Sequence, residues 1–114
     1  MKRMLRTVAV LIAVGLSSQH AQAVRGFLSG NKLYDYITGS DVTLQQDAVG
    51  YVGGVADAEE STPNKPRFCM PEQVSRGQAR DIVRNYLSAH PELRHYSASS
   101  LVVNSFIAAF PCPK

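Results

Sequence analysis

Few residues in this 114-residue chain could do chemistry. They are Cys69 and Cys112, His90 and His95 with Glu92 between them, and the adjacent carboxylates Glu59 and Glu60. A nucleophilic cysteine needs a base within hydrogen-bond reach, and either histidine is a formal candidate. A metal site is the second option. Zinc ligands on one helix sit three or four residues apart so that both share a face. His90 and His95 are five apart and separated by Pro91, which breaks that register. Neighbouring glutamates with no apolar pocket around them read as a charged loop rather than a general acid and base. No nucleophile elbow or phosphate-cradling glycine loop is present. These residues therefore predict no catalytic centre, no metal site and no cofactor.

The cysteines gain a different meaning from what precedes them. Lys2, Arg3 and Arg6 form a positive start, and Thr7 to Leu16 is an apolar core. Ala21-Gln22-Ala23 then supplies a small-x-small cleavage pattern. This reads as a secretory signal peptide over residues 1–23, cut after Ala23. Its core is about ten residues long, where a spanning helix needs roughly 20, so it predicts no membrane anchor after cleavage. No cysteine stands at the cut, which argues against lipidation. In an oxidising compartment an even cysteine count favours a disulfide, and with two cysteines an intramolecular bridge has one possible pairing.

Removing residues 1–23 from the 114 leaves 91, one domain spanning 24–114. The net charge of +3 disappears with the signal, because three of the twelve basic residues lie in it and the other nine balance nine acidic ones. The mature domain thus lacks the electrostatic footprint of a nucleic-acid binder. A domain this small benefits from a staple. Chain entropy credits a loop of this length with about 4 kcal/mol as an upper figure.

The elements that position these residues read as four helices and no strands. The first is expected at about Ser29 to Thr38, with Ser29 as N-cap and Gly39 as the C′ residue. The second, about Val42 to Ala58, repeats Leu44, Ala48, Tyr51, Val52 and Val55 at helical spacing. Gly50, Gly53 and Gly54 interrupt it, each at about 1 kcal/mol of propensity. Gly50 and Gly54 share a face, which predicts close approach of another backbone. Glu59 to Arg67 (EESTPNKPR) reads as an exposed loop. Ser75-Arg76-Gly77-Gln78 is a capping box opening a third helix, whose stripe is Ala79, Ile82, Val83, Tyr86 and Leu87. Pro91 ends it by disfavouring a helical His90. Ser97 caps a fourth helix with the stripe Ala98, Leu101, Val102, Phe106, Ala109 and Phe110, stopped by Pro111. The short turn between them makes helices three and four antiparallel, bringing Cys69 near Cys112 and away from the histidines. The expected fold is an all-α bundle of about four helices with a C-terminal hairpin clasped by one disulfide.

With these elements placed, FLSGNKLYDYITG, GYVGGVAD and FCMPEQVSRGQARDIVRNYLSAHPELRHYSASSLVVNSFIAAFPC resemble the Rap1a/Tai family of type VI secretion immunity proteins. The likeness covers about Phe27 to Cys112, and F-C-x-P-x-x-V-x-x-G-Q closing on A-F-P-C is its most specific part. It implies a periplasmic, mostly helical protein that binds and occludes a peptidoglycan amidase effector, preventing self-intoxication. It also allows a homodimer, since some members dimerise. The chain departs from the family pattern at Ile37 and Ala48, which stand where the family carries a second pair of cysteines. The expectation is that the first two helices are held by packing alone and open more easily than the clasped pair.

Exposed loops carry recognition disproportionately. The expected partner-binding residues are therefore Glu59, Glu60, Asn64, Lys65 and Arg67 in one loop, and Glu92, Arg94 and His95 in the other. Two alternatives stay open: a structural or adaptor protein of this fold with no toxin partner, and an inhibitor of another wall hydrolase such as a lysozyme.

Overall fold

A computed structural model describes residues 27–63 and 65–114. The signal peptide with its cut after Ala23, and Asn64, lie outside the described residues. Four helices follow in order: α1 (Gly30–Thr38), α2 (Val42–Glu60), α3 (Arg76–Ala89) and α4 (Ala98–Ala109), with a 3-10 turn at Pro91–Leu93. Each helix packs against the other three. The all-α class and the antiparallel α3–α4 hairpin are as expected.

Local chemistry accounts for the boundaries. Ser29 accepts the Lys32 N–H at 3.2 Å to cap α1. Asp41 caps α2 by accepting from Thr43 and Leu44, satisfying amides that a helix start leaves without partners. The capping box of α3 is complete: Gln78 N–H donates to Ser75 Oγ at 3.1 Å, and Ser75 N–H donates to Gln78 Oε1 at 2.8 Å. Ser97 stands at the N-cap of α4, but its hydroxyl pairs with Ser100 Oγ at 2.8 Å instead of a backbone amide. Gly39 is the C-cap of α1 in extended backbone, not a left-handed C′ residue. Smallness is still needed there, because a Cβ would lie 2.8 Å from the Asp35 carbonyl oxygen.

Two expectations about α2 are corrected. The helix runs to Glu60, so Glu59 and Glu60 belong to its last turn and not to a loop. The first proline after it is Pro63, and Ser61 satisfies the end by donating its hydroxyl to Asp57 O at 2.9 Å. Gly50 and Gly54 meet no backbone either, since a Cβ on either one would have nothing within 4 Å. Ala48 and Val52, both fully buried, make the inward contacts instead.

The core joins Leu33 and Ile37 of α1, Ala48 and Val52 of α2, Ala79, Val83 and Leu87 of α3, and Ala98, Leu101, Val102, Val103 and Phe106 of α4. Fully burying each large aliphatic or aromatic side chain stabilises by about 1.5–3 kcal/mol. Helix α4 is buried over a wider arc than one stripe, because α1, α2 and α3 all pack on it. Val103 and Ser105 are therefore buried, while the expected core residue Ala109 is exposed. Ser105 tolerates burial because its hydroxyl donates to Val102 O at 2.6 Å. Ile37 and Ala48 both face inward as plain hydrophobes.

Cys69 and Cys112 form the disulfide, with Cα atoms 4.9 Å apart. Beside it Cys69 N–H donates to Phe110 O at 2.8 Å, and buried Phe68 packs on Phe106 with ring centroids 5.2 Å apart.

The opposite end of the hairpin holds a feature not anticipated. Ser29 and Ser97 form an antiparallel bridge. Gly30 N–H donates to Tyr96 O (2.9 Å), Asn31 N–H to Arg94 O (2.7 Å) and Ala98 N–H to Leu28 O (2.9 Å). Gly30 makes this approach possible: a Cβ there would lie 2.8 Å from Arg94 O and overlap Leu101 Cδ1. The first helix is thus held by backbone pairing as well as packing, which corrects the expectation of packing alone.

Candidate partner-binding face

Helix α4 (ASSLVVNSFIAA) carries no charged residue. Its inner side is core, yet its outer side, through Ser100, Asn104, Ile107 and Ala108, is open to solvent. Two grooves lie along this outer side. One, of about 360 Å³, is lined by Leu93, Tyr96, Ser97, Ser100, Leu101 and Asn104. The other, of about 400 Å³, is lined by Val55, Ala58, Glu59, Arg67, Ser99, Ser100, Val103 and Asn104. Ser100 and Asn104 border both, so the two grooves flank the middle of α4.

One wall is an ion pair across the end of α2. Arg67 Nε donates to Glu59 Oε2 at 2.8 Å, and its Nη2 bonds Glu59 Oε1. The hydrogen bonds from Arg67 hold the Glu59 carboxyl below its usual range, and the same contact raises Arg67. Both side chains stay near solvent, so the pair adds little to stability. What it does is fix a guanidinium at the groove's edge. The other wall is the α3–α4 turn, where Tyr96 is 55% exposed and stacks on His95 with centroids 4.2 Å apart.

The expected binding residues separate on this map. Glu59 and Arg67 line the groove. Glu60 and Lys65 are exposed beyond its rim. Glu92 and His95 are exposed on the turn. Glu92 accepts from His90 Nδ1 at 3.1 Å, and its carboxyl is lowered mainly by its own backbone N–H and then by His90. Arg94 is placed differently. It is half-buried, donates from Nε to Leu87 O at 2.8 Å and lies 4.1 Å above the Tyr34 ring. Its guanidinium is engaged inside the molecule. Tyr96 ends the His90 to Tyr96 turn expected to carry recognition, whereas Ser100 and Asn104 were not anticipated. The available signal was a twelve-residue helix without charge whose outward positions include a hydroxyl at Ser100 and an amide at Asn104.

The chemical candidates reduce in the same way. Both sulfurs are in the disulfide, so neither is a thiolate nucleophile. Glu59 is bound to Arg67, and Glu60 follows it about 100° further round the helix. Among the described residues no three histidine, cysteine, aspartate or glutamate side chains cluster to hold a metal. The arrangement is suited to recognition: an uncharged floor, one aromatic at the rim and one fixed ion pair.

Residues 18–112 match the family model of the Rap1a immunity proteins. The chain belongs to the Rap1a immunity protein family. No curated protein matches it. Membership implies an immunity protein directed at a type VI secretion effector. Among the described residues no helix is long and apolar enough to cross a membrane.

Proposed function

We propose that this Rap1a protein is a periplasmic immunity protein that binds a peptidoglycan amidase effector and inhibits it by occlusion, with no covalent step of its own. The carrying observation is the uncharged outer face of α4, edged by Tyr96 at one end and the Glu59–Arg67 pair at the other. Interface centres are depleted of charge and enriched in aromatic residues, while charged residues ring them. In this reading Tyr96 is the anchor, and Ser100 and Asn104 supply hydrogen bonds at the centre. Glu59, Arg67, Glu92 and His95 form the rim, with Glu60 and Lys65 beyond it. Export through the signal at residues 1–23 delivers the protein to the wall that the amidase attacks.

The test expresses a candidate amidase in the periplasm with either the wild-type protein or Asn104→Arg, which puts a charge in the groove floor. Wild type should co-purify with the amidase and prevent lysis. Asn104→Arg should retain helicity and bind at least about 100-fold more weakly, as for a buried unpaired charge at an interface centre. Full protection by a folded Asn104→Arg variant removes the α4 face from the mechanism. Running a lysozyme in parallel discriminates the wall-hydrolase alternative. Light scattering of the free and bound protein reads whether a dimer takes part.

A further inference from the structure

We propose that Arg94 is a positioning residue, which fixes Tyr96 at the groove by tying the α3–α4 turn to α1. The inference rests on the reading of the α4 face as the effector-docking surface and adds to it what holds the anchor in place.

The turn from His90 to Ser97 exposes Pro91, Glu92, His95 and Tyr96, and a connection of this kind opens easily unless its backbone is tied down. Arg94 ties it at three points. Its carbonyl accepts the Asn31 N–H of α1 at 2.7 Å. Its Nε donates to Leu87 O at 2.8 Å, a carbonyl in the closing turns of α3, where the helix dipole favours a cation. Its guanidinium lies 4.1 Å above the Tyr34 ring of α1. A planar guanidinium can donate in its plane and stack with its face at once, whereas an ammonium cannot do both.

The effect reaches Tyr96 through the backbone. Tyr96 O accepts the Gly30 N–H at 2.9 Å, and Tyr96 N–H donates to Leu93 O at 3.0 Å. Both polar groups of its peptide backbone are therefore fixed, while the ring remains 55% exposed at the groove. An anchor already ordered in the free protein loses less conformational entropy on binding. Arg94 touches no partner in this account. It acts by keeping Tyr96 in place.

The experiment has two readouts on Arg94→Lys, which keeps the charge but loses the combined donation and stacking. In the free protein, the amides of Gly30, Asn31 and Tyr96 should exchange at least about tenfold faster, while those of Val83 and Val102 keep their protection. Unchanged exchange at these three amides overturns the positioning role, whatever the protein binds. With the amidase, a double-mutant cycle pairs Arg94→Lys with Tyr96→Ala. Arg94→Lys should weaken binding about tenfold in the wild-type background and less than about twofold once Tyr96 is alanine. Equal losses in both backgrounds show that Arg94 does not act through Tyr96 and overturn the proposal. A Tyr96→Ala variant that binds like wild type refutes the docking face itself and, with it, a share for Arg94 in binding. Should Arg94→Lys fail to fold, Tyr34→Leu removes the stack alone and is read by the same two measurements.

Discussion

At one end of the α3–α4 hairpin a covalent bond joins Cys69 to Cys112, with Phe68 buried behind it. At the other end two backbone hydrogen bonds and Arg94 join the turn to α1, and a third hydrogen bond joins the start of α4 to Leu28 just before α1. The first device acts mainly on the unfolded chain, by removing conformations it could otherwise sample. The second acts on the folded state and opens reversibly, one contact at a time. The turn proposed to take part in binding sits at the end with the reversible device. The difference teaches that covalent strength has been placed away from the surface proposed to bind, and that the surface is ordered by contacts that local motion can test.

The largest expected effect comes from removing the clasp. Cys69→Ser with Cys112→Ser should cost roughly 2–5 kcal/mol in urea unfolding, the usual range for a native disulfide in a small domain. Amide exchange should then show the α3–α4 half losing its advantage over the α1–α2 half. A loss below about 1 kcal/mol would mean that packing of Phe68 on Phe106 holds that end without the bridge.

The next effect separates glycines that the fold needs from those it does not. Gly30→Ala must displace Leu101 or the Arg94 backbone and should destabilise by about 1–3 kcal/mol. Gly50→Ala and Gly54→Ala meet open space and should each stabilise by about 0.5–1 kcal/mol through better helix propensity. Thermal unfolding of the three variants checks both signs. Equal destabilisation by all three would place a close contact on the outer face of α2 and break the distinction.

The smallest effect is on pH, and it touches both ends. Glu59 and Glu92 have carboxyls lowered in the folded state, by Arg67 in one case and by a backbone N–H and His90 in the other. A depressed carboxyl contributes stability that is present above its unfolded value and is lost as pH falls through its folded one. Melting temperature should therefore decline slightly as pH drops below about 4, and salt should blunt the decline because both groups are exposed. Glu59→Gln should flatten part of that slope. An unchanged slope in Glu59→Gln would show that the ion pair does not couple to folding.

Much of the fold was legible because its signals are side chains. The capping box at Ser75 and Gln78, the apolar stripe from Ala79 to Leu87, the stop at Pro91 and the paired cysteines each leave a residue pattern, and each stands in the structure. The bridge between Ser29 and Ser97 left none, since backbone amides pair without regard to residue type. Arg94 looked like a surface charge because neither the Leu87 carbonyl nor the Tyr34 ring is near it in sequence. Glycines at helical spacing suggested close packing, but Gly50 and Gly54 are equally compatible with an open face. The surface proposed to bind was half legible. Its charged rim at Glu59 and Arg67 was visible, whereas its floor at Ser100 and Asn104 emerges only once α4 is seen to be central and uncharged.

The disulfide has a topological consequence. Its two cysteines are 43 residues apart, so everything between them, including α3, the α3–α4 turn and α4, is a closed ring. Tyr96 lies near the far pole of that ring from the sulfurs. A protease that cut the turn would release no free fragment, because both new ends would still belong to one covalent piece. A cut at Lys65, outside the ring, would instead separate α1 and α2 from the rest. Of these two exposed sites, the α3–α4 turn is therefore the one whose scission leaves the protein in one covalent piece.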